Sequence, residues 1–137
     1  MTNPFDPRLA EAPSPLSQTL GFEMTDWREG FACVEAPLAT HLMNRQGLPH
    51  GGVHAALLDT AMGFAGCFTG DPDVKQNALT LSMTVNFIGR ATGTRLIAEA
   101  RVTGGGKSTY FAQGTVRDDT GTLVVEGSGV FKLRSRK

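Results

Sequence analysis

The stretch Asn44-Arg-Gln-Gly-Leu-Pro-His-Gly-Gly-Val-His-Ala-Ala-Leu-Leu-Asp59 decides the fold, because it leads the chain from a loop into a long apolar segment. Gly47 and Pro49 break regular structure, whereas residues 53–68 are mainly Ala, Leu, Met, Phe and Gly. This composition predicts a helix over residues 51–68 that is buried on nearly all sides.

One carboxylate, Asp59, lies within this apolar segment. Burying an unpaired charge is strongly destabilising, so such a residue needs a reason. A purely structural explanation would place Asp59 at the edge of the helix, in solvent or paired with an arginine. The flanking side chains are Leu57, Leu58, Ala61 and Met62. They leave little polar surface for that arrangement, and we therefore interpret Asp59 as a functional side chain.

Gly51 and Gly52 lie at the predicted start of the helix. A helix N-terminus presents unpaired N–H groups and a partial positive charge, and glycine lets a ligand approach that backbone closely. Such an arrangement can form an oxyanion hole. A glycine pair also simply permits a tight turn, so the pair alone does not establish the chemistry.

Taken together, this stretch resembles the signature of the hotdog-fold acyl-CoA thioesterases of the phenylacetate-degradation (PaaI-like) type. The matching positions are Asn44, Gly47, His50, Gly51, Gly52, Leu57 and Asp59. The resemblance implies hydrolysis of acyl-CoA thioesters, active sites at a subunit interface, and dimers that pair into homotetramers. It implies no cofactor, since coenzyme A is part of the substrate.

The remainder of the chain predicts a sheet. Residues 19–27 and 31–36 predict a hairpin before the helix. The segments 78–88, 94–103, 109–118 and 123–133 predict four further strands. One apolar helix and six strands can be covered only if an antiparallel sheet curls around the helix. We therefore predict an α+β hotdog fold, with residues 1–18 as a lead-in segment and 19–137 as a single domain.

Composition limits the partners. The 137 residues include 13 basic and 13 acidic side chains, and the formal net charge is zero. This balance favours neither nucleic acid nor an anionic membrane as a partner.

The N-terminus lacks the pattern of a signal peptide, and no apolar run is long enough to span a bilayer. Cys33 and Cys67 are predicted to be buried and reduced, so we expect a cytoplasmic protein.

Thioester hydrolysis requires a polarised carbonyl and either a base-activated water or a carboxylate nucleophile. On a single helix, Gly51 and Asp59 would lie about 12 Å apart along the axis. An oxyanion donor and a base that act on one thioester should be only about 6 to 7 Å apart. Two antiparallel helices related by a two-fold axis would bring Gly51 of one subunit to Asp59 of the other. We therefore expect a homodimer at minimum.

The resemblance implies roles for three more residues. Asn44 would hold the attacking water or the thioester, and His50 would shape the loop and donate a hydrogen bond. Thr80 would assist Asp59, although a threonine is also an ordinary strand residue. His50 and His54 have the spacing of a metal pair on a helix, but no glutamate follows His50 and no third ligand is suitably spaced, so we predict no metal site.

The run Gly104-Gly105-Gly106-Lys107-Ser108 is similar to part of a phosphate-binding P-loop. The earlier glycine of that motif would fall at Arg101, and the run joins two predicted strands, so it predicts a hairpin turn. Lys107, Ser108 and Arg90 are candidates for contacts with coenzyme A, although an ordinary surface position explains each of them better.

Two other functions stay open at this stage. A hydratase or dehydratase of acyl thioesters on the same fold would pair a histidine base with a carboxylate, but His41 lies in no matching motif. A non-catalytic acyl-CoA binding module would leave the set of Asn44, Gly51 and Asp59 without a use. The acyl group is not specified by the sequence, and a pocket lined by Met62, Phe64 or Phe68 would accept aryl or medium-chain groups.

Overall fold

The computed structural model describes residues 5–134. This part of the chain contains two α-helices and six strands. The helices are α1 (Pro15–Leu20) and α2 (Gly51–Ala65), and the strands are β1 (Glu23–Arg28), β2 (Phe31–Pro37), β3 (Ala78–Phe87), β4 (Arg95–Gly105), β5 (Thr109–Asp118) and β6 (Leu123–Leu133). Single 3₁₀ turns lie at Pro7–Leu9 and Thr40–Leu42. None of the helices in residues 5–134 has the length and apolar character needed to cross a membrane.

All six strands form one antiparallel sheet in the order β1-β2-β4-β5-β6-β3. Helix α2 contacts every one of these strands, so the sheet wraps around it. The predicted α+β hotdog fold is therefore confirmed. Strands β5 and β6 have the predicted bounds, and β3 and β4 match their predictions closely, because alternating strand residues and glycine-containing turns are local signals.

Two glycines set the position of α2 on the sheet. Gly114 of β5 and Gly127 of β6 are direct cross-strand partners. A Cβ atom at Gly114 or Gly127 would lie 2.8 Å or 2.9 Å from the two δ-methyl carbons of Leu58, which is fully buried. Only glycine allows the helix to approach this closely. Asp59 follows Leu58 directly and is therefore positioned by the same contact.

Helix α2 ends at Ala65, so the predicted extension to residue 68 is wrong. Side chains from distant strands supply donors to its last carbonyl groups. The Tyr110 hydroxyl donates to the Gly63 carbonyl oxygen at 2.8 Å, and the Trp27 indole N–H donates to that of Phe64 at 2.8 Å. These bonds pair carbonyl oxygens that would otherwise need N–H donors from a further helical turn.

The prediction of a strand over residues 19–27 is wrong at its start, because helix α1 occupies Pro15–Leu20 and β1 begins only at Glu23. Ser14 caps this helix by accepting a hydrogen bond from the Ser17 N–H at 3.1 Å. A serine cap followed by proline at the first helical position is a helix-start signal that the strand pattern obscured. Helix α1 also crosses the boundary that we placed after residue 18, and Phe5 packs against the core.

Candidate active site

Asp59 lies at the border between the buried and the accessible sides of α2, next to the edge strand β3. The preceding Leu57 and Leu58 are fully buried, whereas Asp59 is only half-buried. The prediction that α2 is buried on nearly all sides is therefore wrong for a single chain, because the sheet covers one side of the helix and the other stays accessible. The accessible side carries mainly small residues, which are Ala55, Ala56, Thr60 and Gly63.

A hydrogen bond orients the Asp59 carboxylate. The Thr80 hydroxyl, from β3, donates to Asp59 Oδ1 at 2.6 Å. The register of β3 against β6 shifts between Thr80 and Ser82, and such a bulge re-aims the side chains next to it. Within residues 5–134, Asp59 Oδ2 has no hydrogen-bond partner. This oxygen is available to a water molecule or a substrate.

The first turn of α2 has one capped and one open N–H group. His50 is the N-cap residue, and its Nδ1 accepts a hydrogen bond from the Gly52 N–H at 2.8 Å. Because Nδ1 is the acceptor, the ring proton of the neutral imidazole is on Nε2. The Gly51 N–H has no partner within residues 5–134. Of the two glycines, only Gly51 therefore offers a free backbone donor, and Gly52 serves the cap.

Asn44 shapes the loop that precedes α2. Its side-chain oxygen accepts hydrogen bonds from the backbone N–H groups of Gln46 at 2.9 Å and Leu48 at 3.2 Å. Gly47 completes this turn with a φ of 75°, in the left-handed region that favours glycine. The side-chain oxygen of Asn44 is thus occupied within the loop, and only its amide N–H groups remain to contact a ligand.

Four of the candidate catalytic residues, Asn44, Gly51, Asp59 and Thr80, divide between two grooves that share no lining residue. The first, which we call the Gly51 groove, has a volume of about 680 Å³ and is lined by Asn44, Gly51, His54, Phe87 and Arg90, among others. The second, which we call the Asp59 groove, has a volume of about 240 Å³ and includes Asp59 and Thr80 in its lining. The two halves of the expected site are therefore separate within one chain.

The loop that carries Arg90 past the Gly51 groove is held by a hydrogen-bond network around Asp118. This buried carboxylate accepts hydrogen bonds from the hydroxyl and N–H groups of Thr120 and from the N–H groups of Thr92 and Gly93. These bonds, above all the one from the Thr120 hydroxyl, hold the pKa of Asp118 far below its ordinary value. The network fixes the connection between β3 and β4, which carries Arg90.

Lys107 and Ser108 line neither the Gly51 groove nor the Asp59 groove. They are exposed in the turn between β4 and β5, and the Ser108 carbonyl oxygen accepts a hydrogen bond from the Leu133 N–H at 2.8 Å. Leu133 pairs with Ala78 at the start of β3, whereas Arg90 follows the end of that strand. The two ends of β3 are about 30 Å apart, so the structure does not bring Arg90 together with Lys107 and Ser108 in one chain.

The three residues suggested for an acyl pocket have different environments. Met62 is fully buried in the core, and Phe68 packs edge-on against Trp27 at a centroid distance of 5.5 Å. Only Phe64 lines the Asp59 groove, and it also lines an adjoining cavity of about 290 Å³ beneath residues 10–14. We call the latter the N-terminal cavity; its apolar walls include Phe22, Met24 and Val34.

Sequence reasoning treated His54 only as half of a discarded metal pair. The structure places its ring in the wall of the Gly51 groove, with a relative exposure of 5%. A polar residue within the apolar stretch after the glycines was the signal that marked it. Within residues 5–134, no group of three or more His, Cys, Asp or Glu side chains is arranged to hold a metal ion.

Comparison with known proteins identifies the family. Residues 46–125, more than half of the chain, match the model of the Thioesterase superfamily, and this range contains Gly51, Asp59 and Thr80. The chain belongs to the thioesterase superfamily. It is a thioester hydrolase, and its resemblance to the hotdog thioesterases is confirmed. No curated protein sequence matches this thioesterase significantly.

Solved structures of similar fold cover nearly the whole thioesterase chain. A conserved protein from Pseudomonas aeruginosa is 29% identical, with a TM-score of 0.81 over 93% of this chain and 97% of its own. A Bacillus halodurans protein solved with CoA is 28% identical, with a TM-score of 0.75 over 90% of this chain and 78% of its own. The E. coli PaaI protein of the phenylacetic acid degradation operon shares the fold at 23% identity, with a TM-score of 0.77 over 89% of this chain and 86% of its own.

Proposed function

We propose that this thioesterase hydrolyses acyl-CoA thioesters to the free acid and coenzyme A, at sites that two subunits share. The main support for this proposal is that the Gly51 groove and the Asp59 groove are separate within one chain. The open Gly51 N–H and the Thr80-oriented Asp59 lie on one helix, about 12 Å apart along its axis, too far to act on the same thioester. A second copy of the chain, related by a two-fold axis, resolves the mismatch.

The edge strand β3 supports a dimer. It lies at one end of the sheet, and Leu79, Leu81, Phe87 and Ile88, in β3 or directly after it, are about half exposed. A long, apolar and unpaired edge favours pairing with another strand. The opposite edge, β1, is shorter and carries charged residues, including Asp26 paired with Arg28 at 3.2 Å. We therefore place the second copy against β3, beside both α2 and Thr80.

In the proposed mechanism, the Gly51 N–H and the positive end of α2 polarise the thioester carbonyl. Asp59 of the partner subunit then acts in one of two ways. As a general base it takes a proton from water, whose oxygen attacks the carbonyl carbon. As a nucleophile it attacks that carbon itself, and water hydrolyses the resulting anhydride. In both cases the C–S bond breaks, and coenzyme A leaves as the thiol after its sulfur takes a proton from the water that is consumed.

The remaining residues position these groups. The amide N–H groups of Asn44 face the thioester or the attacking water, since its oxygen is occupied in the loop. His50 keeps the first turn in place through its cap on Gly52 and has Nε2–H left to donate. Thr80 holds one oxygen of Asp59 and leaves the other free.

Arg90 lines the Gly51 groove and is the first candidate to bind a phosphate of coenzyme A. Lys107 and Ser108 would contact the same molecule only from another subunit, because of their distance from Arg90. The CoA found with the similar B. halodurans protein supports a ligand of this kind. No further cofactor is needed for this hydrolysis.

The proposal extends to assembly and location. The outer face of the sheet carries both carboxylates and guanidinium groups, Glu99, Glu126, Arg101 and Arg117, so two dimers could pair there with complementary charges to form the homotetramer. Cys33 and Cys67 are free and buried, which agrees with a reducing cytoplasmic location.

The proposed reaction is tested with purified protein and a panel of acyl-CoA substrates, with release of free thiol as the measurement. A saturated acyl-CoA should release coenzyme A, with turnover that saturates at micromolar to millimolar substrate. A hydratase would instead hydrate a 2-enoyl-CoA and release no thiol from the saturated substrate. Tight binding of the whole panel without turnover would identify a binding module, and either result would contradict the proposal.

We assign the acyl group to the Asp59 groove and the N-terminal cavity that adjoins it. Thr60 lines both and is half-buried, and its hydroxyl donates only to the Ala56 carbonyl oxygen of its own helix, at 2.8 Å. Thr60→Met should block the passage and lower kcat/KM for octanoyl-CoA by about tenfold or more, with little change for acetyl-CoA. Thr60→Val, which keeps the volume, is the control. Equal losses for both substrates would show that the acyl chain lies elsewhere.

A further inference from the structure

Within residues 5–134, the buried side chain of His54 has no hydrogen-bond partner. Its relative exposure is 5%, and its Nδ1 is enclosed by the surrounding atoms. No residue between 5 and 134 makes a hydrogen bond to the other ring nitrogen either. Most buried polar groups in proteins are hydrogen-bonded, and an unsatisfied one destabilises the fold. An imidazole in this state calls for a partner from outside the chain.

The ring is placed beside the open backbone donor of the site. His54 and Gly51 are separated by i, i+3 on α2 and therefore share one face of the helix. Helical side chains lean toward the N-terminus, so the His54 ring lies over the first turn. Both residues line the Gly51 groove, and both border Phe87. The Phe87 ring centroid is 6.3 Å from that of His54, and a Cβ atom on Gly51 would lie 3.4 Å from the Phe87 ring.

The chemistry of the ring follows from its surroundings. Because Nδ1 is enclosed, a molecule in the groove can reach only Nε2. Burial lowers the pKa of His54, so the imidazole is neutral and carries a single proton. We assign that proton to Nε2, where it has a possible acceptor. A neutral imidazole at a helix N-terminus is suited to polarise a carbonyl group, because it donates without bringing a positive charge into an apolar site.

We propose that His54 donates a hydrogen bond from Nε2 to the thioester carbonyl oxygen, as a second oxyanion donor beside the Gly51 N–H. This inference rests on the proposed function, since it names a further residue of the same site. It also accounts for a histidine in an otherwise apolar stretch of α2. His50, by contrast, uses its Nδ1 in the helix cap and cannot take this role with that nitrogen.

Three variants test the role in turnover. His54→Phe keeps the aromatic volume but removes both nitrogens, and it should lower kcat by about 10²- to 10³-fold, the usual effect of losing one oxyanion donor. Its melting temperature should be unchanged or higher, because an unsatisfied buried group is gone. His54→Gln retains an N–H donor and should recover part of the loss. If His54→Phe fails to fold, His54→Leu takes its place. A kcat within about threefold of the wild type would overturn the proposal.

A binding experiment separates this inference from the proposed function. Two inert coenzyme A analogues are compared by calorimetry: a ketone, in which CH₂ replaces the sulfur and the carbonyl remains, and a thioether, which has no carbonyl oxygen. His54→Phe should weaken binding of the ketone by about tenfold or more and leave the thioether unaffected. Equal weakening of both would overturn the role of His54. If the wild-type protein binds the ketone through His54 but hydrolyses no thioester, the proposed function fails while the hydrogen bond from His54 to the carbonyl oxygen is supported.

Discussion

Replacing Asp59 with asparagine should lower kcat for the best acyl-CoA substrate by about 10²- to 10⁴-fold and change KM much less. Asparagine keeps the shape of the side chain and an oxygen that accepts the hydrogen bond from Thr80, but it has neither the charge nor the basicity of a carboxylate. Asp59 is half-buried, and the proposed dimer would bury it further. The melting temperature of Asp59→Asn should therefore be equal to or higher than that of the wild type.

Steady-state kinetics and thermal unfolding are measured on the same preparations. Asp26→Asn is the matched control, because Asp26 is a partly buried aspartate on β1 that lines neither groove. Its kcat should stay within about twofold of the wild type. Thr80→Val, which removes the orienting hydrogen bond and leaves the carboxylate, should give an intermediate loss. Wild-type turnover by Asp59→Asn would refute the mechanism.

Mixing two inactive variants should restore activity if the site is shared. Gly51→Leu places a side chain against the Phe87 ring, which already lies 3.4 Å from the position of a Cβ atom, and closes the Gly51 groove. Asp59→Ala removes the carboxylate. In a mixed dimer, one site combines an intact Gly51 with an intact Asp59, and the other carries both substitutions. Random exchange makes half of the dimers mixed, so the activity should recover to about a quarter of the wild-type value.

The control for this experiment uses two substitutions in the same groove. Gly51→Leu mixed with Asn44→Ala should recover nothing, because each site of the mixed dimer then contains one of the two defects. Subunit exchange is verified with differently tagged chains. Absence of recovery with Asp59→Ala, once exchange is established, would argue against shared sites, as would sedimentation of a fully active monomer.

Local signals account for the parts of the structure that the sequence predicted well. The start of α2 follows from a proline and glycine-containing loop that gives way to an apolar segment, and each of these signals acts within one turn of the chain. The bounds of β5 and β6 follow from alternation between glycine-containing turns. Helix α1 was missed although its Ser-Pro signal was present, because the alternation that follows it was extended too far back.

Long-range contacts account for the parts that the sequence could not predict. The end of α2 depends on donors from Trp27 and Tyr110, which lie far away in the chain. The expectation that α2 is buried on nearly all sides assumed that apolar neighbours in sequence are covered by neighbours in space. The sheet covers only one side of α2, and the other side is left accessible for substrate and for a second subunit in the proposed dimer.

By itself, the sequence determined that a glycine-led helix with one carboxylate would be packed inside an antiparallel sheet, and it determined the family, since motif spacing and alternation are properties of the chain alone. Only the tertiary structure decided how the polar groups are used. The hydrogen bond from Thr80 to Asp59 depends on a bulge in β3. The Gly52 N–H donates to His50, which leaves the Gly51 N–H as the free donor of the glycine pair. The division into two grooves and the enclosure of His54 likewise arise from packing, because burial is set by the strands that meet around α2 and not by the order of residues along it.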